Sequence, residues 1–309
     1  MKRFFAFLIL AFVSGMAFAN YNPSSINVVR MAPVGANGAL WVEAISQTLM
    51  ANGYKVNPVN YNNCKDAYNW FKNHDKEPTV IATFSDYAII NKVDPHSKAT
   101  CNFPVNKDTL ITIIGKWWNF ICGHKGVSDN FQYLRSSDKL KAGVWNFPIS
   151  YNVAKIQLAQ MGFKGRVVGF ASGKAMLMAF SARDIDYIVM SSENMAKSLP
   201  SAHCFATSAS IQDKDKYMPK RIAYSEVNKN ISFDGYGLWP FVAGYNVDNE
   251  KIRNVLKDHP GALYKKMQGN LVPDNEPVSE QIKQFDDVAN TLKEKHVLEP
   301  QKFVPFKGK

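Results

Sequence analysis

The chain has 309 residues, 46% of them hydrophobic and 20% charged, with a formal net charge of +11 at pH 7. That balance excludes a disordered or collagen-like chain, and the length suits two packed cores better than one. The basic residues are scattered, with no run alternating with aromatics. The charge therefore reads as a solvated exterior or a bias towards acidic ligands, and nucleic acid is not expected as a partner.

The segment MKRFFAFLILAFVSGMAFA has the parts of a secretory leader: Lys2 and Arg3, an apolar stretch from Phe4 to Val13, and the small-x-small site Ala17-Phe18-Ala19. A signal peptide over 1–19 and a mature chain from Asn20 are expected, which implies a periplasmic or secreted protein. Four cysteines, Cys64, Cys101, Cys122 and Cys204, permit two disulfides with three connectivities in an exported chain, or free buried thiols. None has zinc-site spacing and the histidines are isolated, so neither a metal nor a cofactor is expected.

Ile26–Met31 is β-branched and reads as a buried parallel strand, followed by the Pro- and Gly-bearing loop Ala32–Gly38. Leu40, Ile45 and Leu49 then give a helical stripe, Tyr54–Val59 a second strand, Lys65–Lys72 a short helix and Thr79–Phe84 a third strand ending at Ser85-Asp86. This β-α-β-α-β order implies a parallel sheet with right-handed crossovers. Asn91–Asp108 reads as irregular, and Leu110–Ile114 and Trp117–Cys122 as strands. The unit then restarts. Lys141–Trp145 is a strand, Ile149, Val153, Ile156 and Ala159 mark a helix stopped by Gly162, Val167–Phe170 is a strand, and Ala175–Ala182 a helix. Ile185–Met190 and Cys204–Ser208 complete the second set. Gly235–Gly244 is a further strand-like run. The tail from Asp248 to His296 is mostly helical, broken at Pro260-Gly261 and Pro273–Pro277, and Phe303–Phe306 adds a short strand or merely packs. The expected fold is α/β and two-lobed: lobe 1 from 20–121 with 219–309, lobe 2 from 122–218, with a cleft between them and strands crossing from one to the other.

Three segments, Val28–Leu40, Gly143–Val153 and Val167–Ala175, run from a strand through a polar loop into a helix. Each places main-chain N–H groups and a helix dipole at the carboxyl edge of a sheet, where an anion is held without a cationic side chain. Gly35, Ala36 and Asn37 are the candidate donors of the first junction, Asn146, Phe147 and Ser150 of the second, and Ser172, Gly173 and Lys174 of the third. Ser85 joins them at the end of the third strand. Against these stand local roles: a tight turn for Gly35, a helix N-cap for Ser150 or Ser172, a solvated charge for Lys174. Trp145, Phe147, Phe170 and Trp239 either wall the ligand or fill the core. Arg30 pairs with an internal acid or meets the ligand, and Asp186 reads as structural. Cys122 with Cys204 would join the two candidate crossing strands and Cys64 with Cys101 would tie the first lobe, although spacing alone does not decide the pairing.

The succession VVRMAPVGANG, KAGVWNFPISYNVAKIQLAQMG, VVGFASGKAMLMAFSARDIDYIVMS, CFATSASIQDKDKYMPKRIAYSEV and GLWPFVAG resembles, in that order, the segments of the extracytoplasmic solute-binding receptors of tripartite tricarboxylate transporters, the Bug proteins. Pro33 and Gly35 fit the first loop of that family, while Val34 and Gly38 replace its expected glycine and aspartate. Ser150 stands for the loop serine, Phe170 for a tyrosine, Gly173 for a glycine and Asp186 for the strand aspartate. The resemblance implies a type II periplasmic-binding-protein fold. It also implies a monomeric receptor that captures a small organic acid in the interlobe cleft and delivers it to a membrane permease. The binding component of an ABC-type importer and a ligand sensor are the alternatives with the same fold. An enzyme is not expected, because the chain carries no G-x-S-x-G elbow or H-E-x-x-H pair.

Overall fold

The computed structural model describes residues 25–31, 37–94, 103–145, 148–191, 199–258 and 272–295. Strand β1 (Ile26–Arg30), helix α1 (Asn37–Ala51), β2 (Val56–Asn60), α2 (Cys64–Asn73) and β3 (Thr79–Phe84) form the first β-α-β-α-β unit. β1 pairs in parallel with both β2 and β3, as the alternation of strand and helix predicts. Both faces of β1 and β3 are buried, which is why their sequences are continuous β-branched runs and do not alternate. Trp41, Ile45 and Leu49 of α1 pack on Val28, Val80 and Ala82, while Val29 and Ile81 face the opposite cluster with Ala67 and Phe71.

The chain turns directly from β3 into α3 (Ser85–Val93), a helix that sequence reading left as the end of a strand and an irregular stretch. β4 (Leu110–Ile113), β5 (Gly115–Trp118) and β6 (Phe120–His124) follow, so the expected strand Trp117–Cys122 is divided at Asn119 between two sheets. A short helix α4 (Phe131–Leu134) leads to the second unit: β7 (Lys141–Trp145), α5 (Pro148–Gln160), β8 (Arg166–Phe170), α6 (Gly173–Ser181) and β9 (Tyr187–Met190). β7 pairs in parallel with β8 and β9. Gly162 takes φ +92° just past α5, a conformation that favours glycine and stops the helix where expected. β10 (Ala202–Thr207), α7 (Ile211–Tyr217), β11 (Ile222–Ala223) and α8 (Tyr224–Val227) complete this half. The return is made by β12 (Gly237–Leu238) and β13 (Pro240–Tyr245), again one predicted run split between sheets. α9 (Asn249–Asp258), β14 (Val272–Pro273) and α10 (Val278–Glu294) end the described chain.

Three sheets result, in the orders β2-β1-β3-β13-β4, β11-β10-β6-β9-β7-β8 and β12-β5-β14. The small third sheet is the crossing ribbon. β5 leaves the first sheet for the second, β12 comes back, and the two pair antiparallel with Trp118 opposite Gly237 and Trp117 opposite Leu238. Trp117 and Trp118 therefore sit in the crossing strands, where they were expected. Cys122 and Cys204 face each other across the antiparallel β6–β10 pair and form a disulfide. The expected pairing is present and joins the two strands named for it, β6 and β10, both of which lie in the second sheet and not in the crossing ribbon. Cys64 is also disulfide-bonded, and its expected partner Cys101 lies outside the described residues. The Phe303–Phe306 segment and the expected leader at 1–19 lie outside them as well.

Helix α5 is shared between cores. Ile149 and Val153, with Ile156 beside them, pack on the first-half cluster of Trp239, Phe241 and Phe285. Ala154 and Leu158, with Met161 just past the helix end, pack on the second-half cluster with Leu134, Ala142 and Tyr187. Each stripe has helical spacing, so the helix is apolar on two sides and binds the halves together along its length.

Candidate functional site: the facing edges of two α/β units

In both α/β units the strand-to-helix junctions lie at the carboxyl ends of the parallel strands, and hydrogen bonds bring the two edges together. Asp86, in the first turn of α3, is 1% exposed and reaches the start of α5. Its Oδ1 accepts the Ser150 N–H at 2.8 Å and its Oδ2 accepts the Ser150 hydroxyl at 2.9 Å. The Ile149 N–H is a further donor, and the buried Tyr236 hydroxyl donates to Oδ2 at 3.2 Å. Pro148 opens α5, a position where its missing N–H costs nothing. The first two helical amides, Ile149 and Ser150, are thus both satisfied by a carboxylate from the other half of the molecule.

Ser150 is the third residue of its helix, and its hydroxyl bonds Asp86 rather than capping α5. Ser85 is wholly buried: its N–H donates to the Trp239 carbonyl at 2.8 Å and its hydroxyl accepts the Trp239 N–H at 3.1 Å, extending the β3–β13 ladder by a residue. Ser172 is the N-cap of α6, accepting the Ala175 N–H at 3.1 Å, and Lys174 beside it is exposed. Asn37 is the first residue of α1. Gly35, Ala36, Asn146 and Phe147 lie outside the described residues. Of the aromatic candidates, Phe170 and Trp239 are core, and Trp145 packs half-buried on the first-half cluster of Trp41, Phe84 and Trp117. Asp186 is structural, accepting the Lys141 N–H at 2.8 Å. Arg30, at the carboxyl end of β1, finds no internal acid among the described residues, and its Nε is buried without a hydrogen-bond partner.

Asp86 and Tyr236 were missed as site residues. The signal for Asp86 was present: Ser-Asp followed by Tyr87, Ala88, Ile89 and Ile90 is a helix start with an acid in its first turn. Tyr236 carries no comparable mark, since its role depends on where the returning strand lands.

Burial raises the Asp86 carboxyl from an ordinary 3.8 to about 6, outweighing the hydrogen bonds from Ser150, Tyr236 and Ile149 that favour the anion. Such a group binds its proton more tightly in the folded than in the unfolded chain. Its contribution to stability is complete below about pH 4 and is lost as pH rises through about 6. We therefore expect the stability of the wild-type chain relative to Asp86→Asn to fall by about 2 kcal/mol between pH 4 and pH 7. Denaturant melts at both pH values check this; a difference that is flat or rises with pH contradicts it.

Two mixed sheets, each built on a parallel β-α-β-α-β unit, joined by a pair of crossing strands and with the carboxyl edges of those units facing, make the architecture of the type II periplasmic binding proteins. No protein-family pattern matches the chain, and no curated protein matches its sequence. In fold it is similar to a TctC solute-binding protein from Polaromonas (TM-score 0.62, 14% identity, 89% of this chain and 99% of that one). It is similar also to Rpa4515 of Rhodopseudomonas palustris, solved with adipate (0.66, 12%, 89% and 97%), and to MatC from the same organism, with bound malate (0.57, 15%, 86% and 98%). At identities this low the likeness establishes the fold.

Proposed function

We propose that this protein is an extracytoplasmic receptor of the tripartite tricarboxylate transporter type, which captures a small organic acid between two lobes and delivers it to a membrane permease. The observation that carries the reading is the meeting of the two carboxyl edges at Asp86 and Ser150. A carboxylate is already held there by helix-start amides and hydroxyls, the chemistry by which such an edge receives an anion. Two proteins of similar fold were solved with malate and adipate, which supports an organic acid as the ligand class.

The lobes in this reading are 20–121 with 219–309, and 122–218; by pairing, β11 at Ile222–Ala223 goes with the second sheet. Donors come from Gly35, Ala36 and Asn37 in lobe 1, and from Asn146, Phe147, Ser172, Gly173 and Lys174 in lobe 2. Ser85 and Ser150 hold the edges that carry them. The chain acts as a monomer and without chemistry on its ligand. No helix among the described residues is long and apolar enough to cross a membrane, and export rests on the 1–19 leader.

A thermal-shift screen of small mono- and dicarboxylates tests the function. A ligand present at about 100 times its Kd stabilises the native state by about 2.7 kcal/mol, so a bound acid raises the melting temperature saturably. Stabilisation by at least one organic acid is expected. Stabilisation by neutral or cationic solutes alone would contradict the reading.

A further inference from the structure

We propose that Asp86 is a resident anion: its carboxylate fills, from the first half of the molecule, the seat at the start of α5, so that a solute's carboxylate is held elsewhere between the sheets. Four donors converge on this one group: the Ile149 and Ser150 amides and the Ser150 and Tyr236 hydroxyls. Asp86 and Tyr236 are each 1% exposed and Ser150 is 8% exposed. None of the groups acting on Asp86 is a cation. It is therefore bound as an anion is bound at a helix start, by neutral dipoles with one carboxylate oxygen on the amide and the other on the hydroxyls, and not as half of a salt bridge.

The geometry has two consequences. Pro148 has no N–H, so Ile149 and Ser150 are the first amide donors within α5, and with both committed these two helical amides offer nothing to a second carboxylate. A second anion brought beside Asp86 also meets its negative charge in a site closed to water. Asp86 thus withdraws the helical amides of one junction from solute recognition, leaving it to the Asn146–Phe147 loop, and uses them to hold α3 against α5. The occupancy rests on the hydrogen bonds alone; its meaning for solute selection rests on the receptor reading.

Chemical replacement of the carboxylate tests it. Asp86→Ala removes the carboxylate, leaving space for formate, and Asp86→Gly frees the Cβ space as well, enough for acetate. In thermal melts at constant ionic strength, formate is expected to raise the melting temperature of Asp86→Ala saturably where chloride does not. The response should vanish in the Asp86→Ala, Ser150→Ala double variant and be absent in wild type. Acetate should act on Asp86→Gly and not on Asp86→Ala. Equal responses to formate and chloride would overturn the proposal, as would a saturable wild-type response that Ser150→Ala abolishes. Should the Asp86 truncations fail to fold in any anion, the wild-type amide resonances decide. The Ile149 and Ser150 N–H shifts should follow the ionisation of Asp86 and stop doing so in Asp86→Asn, and static shifts would overturn the assignment. A chain that shows the formate effect yet binds no organic acid refutes the receptor reading alone. One that binds an organic acid without the formate effect refutes this inference alone.

Discussion

Replacing Gly237 by alanine is expected to destabilise the fold by about 3 kcal/mol or more, the upper end of what overpacking costs. Gly237 lies in β12, opposite Trp118 of β5 in the ribbon that carries the chain out of the first sheet and back. A Cβ built there overlaps the Trp117 carbonyl oxygen and comes within 2.8 Å of the Trp118 Cα. All the nearest atoms are backbone, so no rotamer change relieves the overlap and the two crossing strands must separate. Tyr236, next in the chain, would move with them, and its hydroxyl would lose Asp86. Equilibrium denaturant unfolding measures the loss; a cost below about 1 kcal/mol would show that the ribbon is not closely packed.

Truncating Phe285 to alanine should cost about 3–5 kcal/mol, the range for emptying a buried aromatic site. Phe285 is fully buried on α10. Its ring stacks on Trp239 at 6.1 Å between centroids and meets Phe241 edge-on at 5.7 Å. It fixes the last helix to the returning strand β13, on the same cluster that receives Ile149 and Val153 of α5. The effect therefore combines lost transfer energy, a cavity and lost ring contacts. Phe285→Leu keeps most of the volume and should cost well under half as much. If the two variants unfold alike, ring packing is not what anchors the helix.

Both parallel units could be read in the sequence because their signals are local. Short apolar runs such as Thr79–Phe84 and Ala142–Trp145, helical stripes such as Ile149, Val153 and Ile156, and the stop at Gly162 each depend on a few neighbouring residues. The crossings were harder. Trp117–Cys122 and Gly235–Gly244 are uniformly apolar, and nothing local marks Asn119 or Trp239 as the place where a strand changes sheets. Helix α3 was lost for a different reason: with no loop between β3 and Ser85, the strand pattern ran straight into the helix start. The strand-to-helix junctions that make up the candidate site were legible one by one. The bond between two of them was not, because Asp86 and Ser150 are 64 residues apart and only the tertiary fold makes them partners.

A crystal structure of the chain with the organic acid that most raises its melting temperature would test the central reading most directly. The acid's carboxylate should lie between the two sheet edges, within hydrogen-bond distance of main-chain amides at the β1–α1 or β8–α6 junction, with Asp86 still on Ser150. An acid held on surface lysines, or anywhere away from those edges, would contradict it.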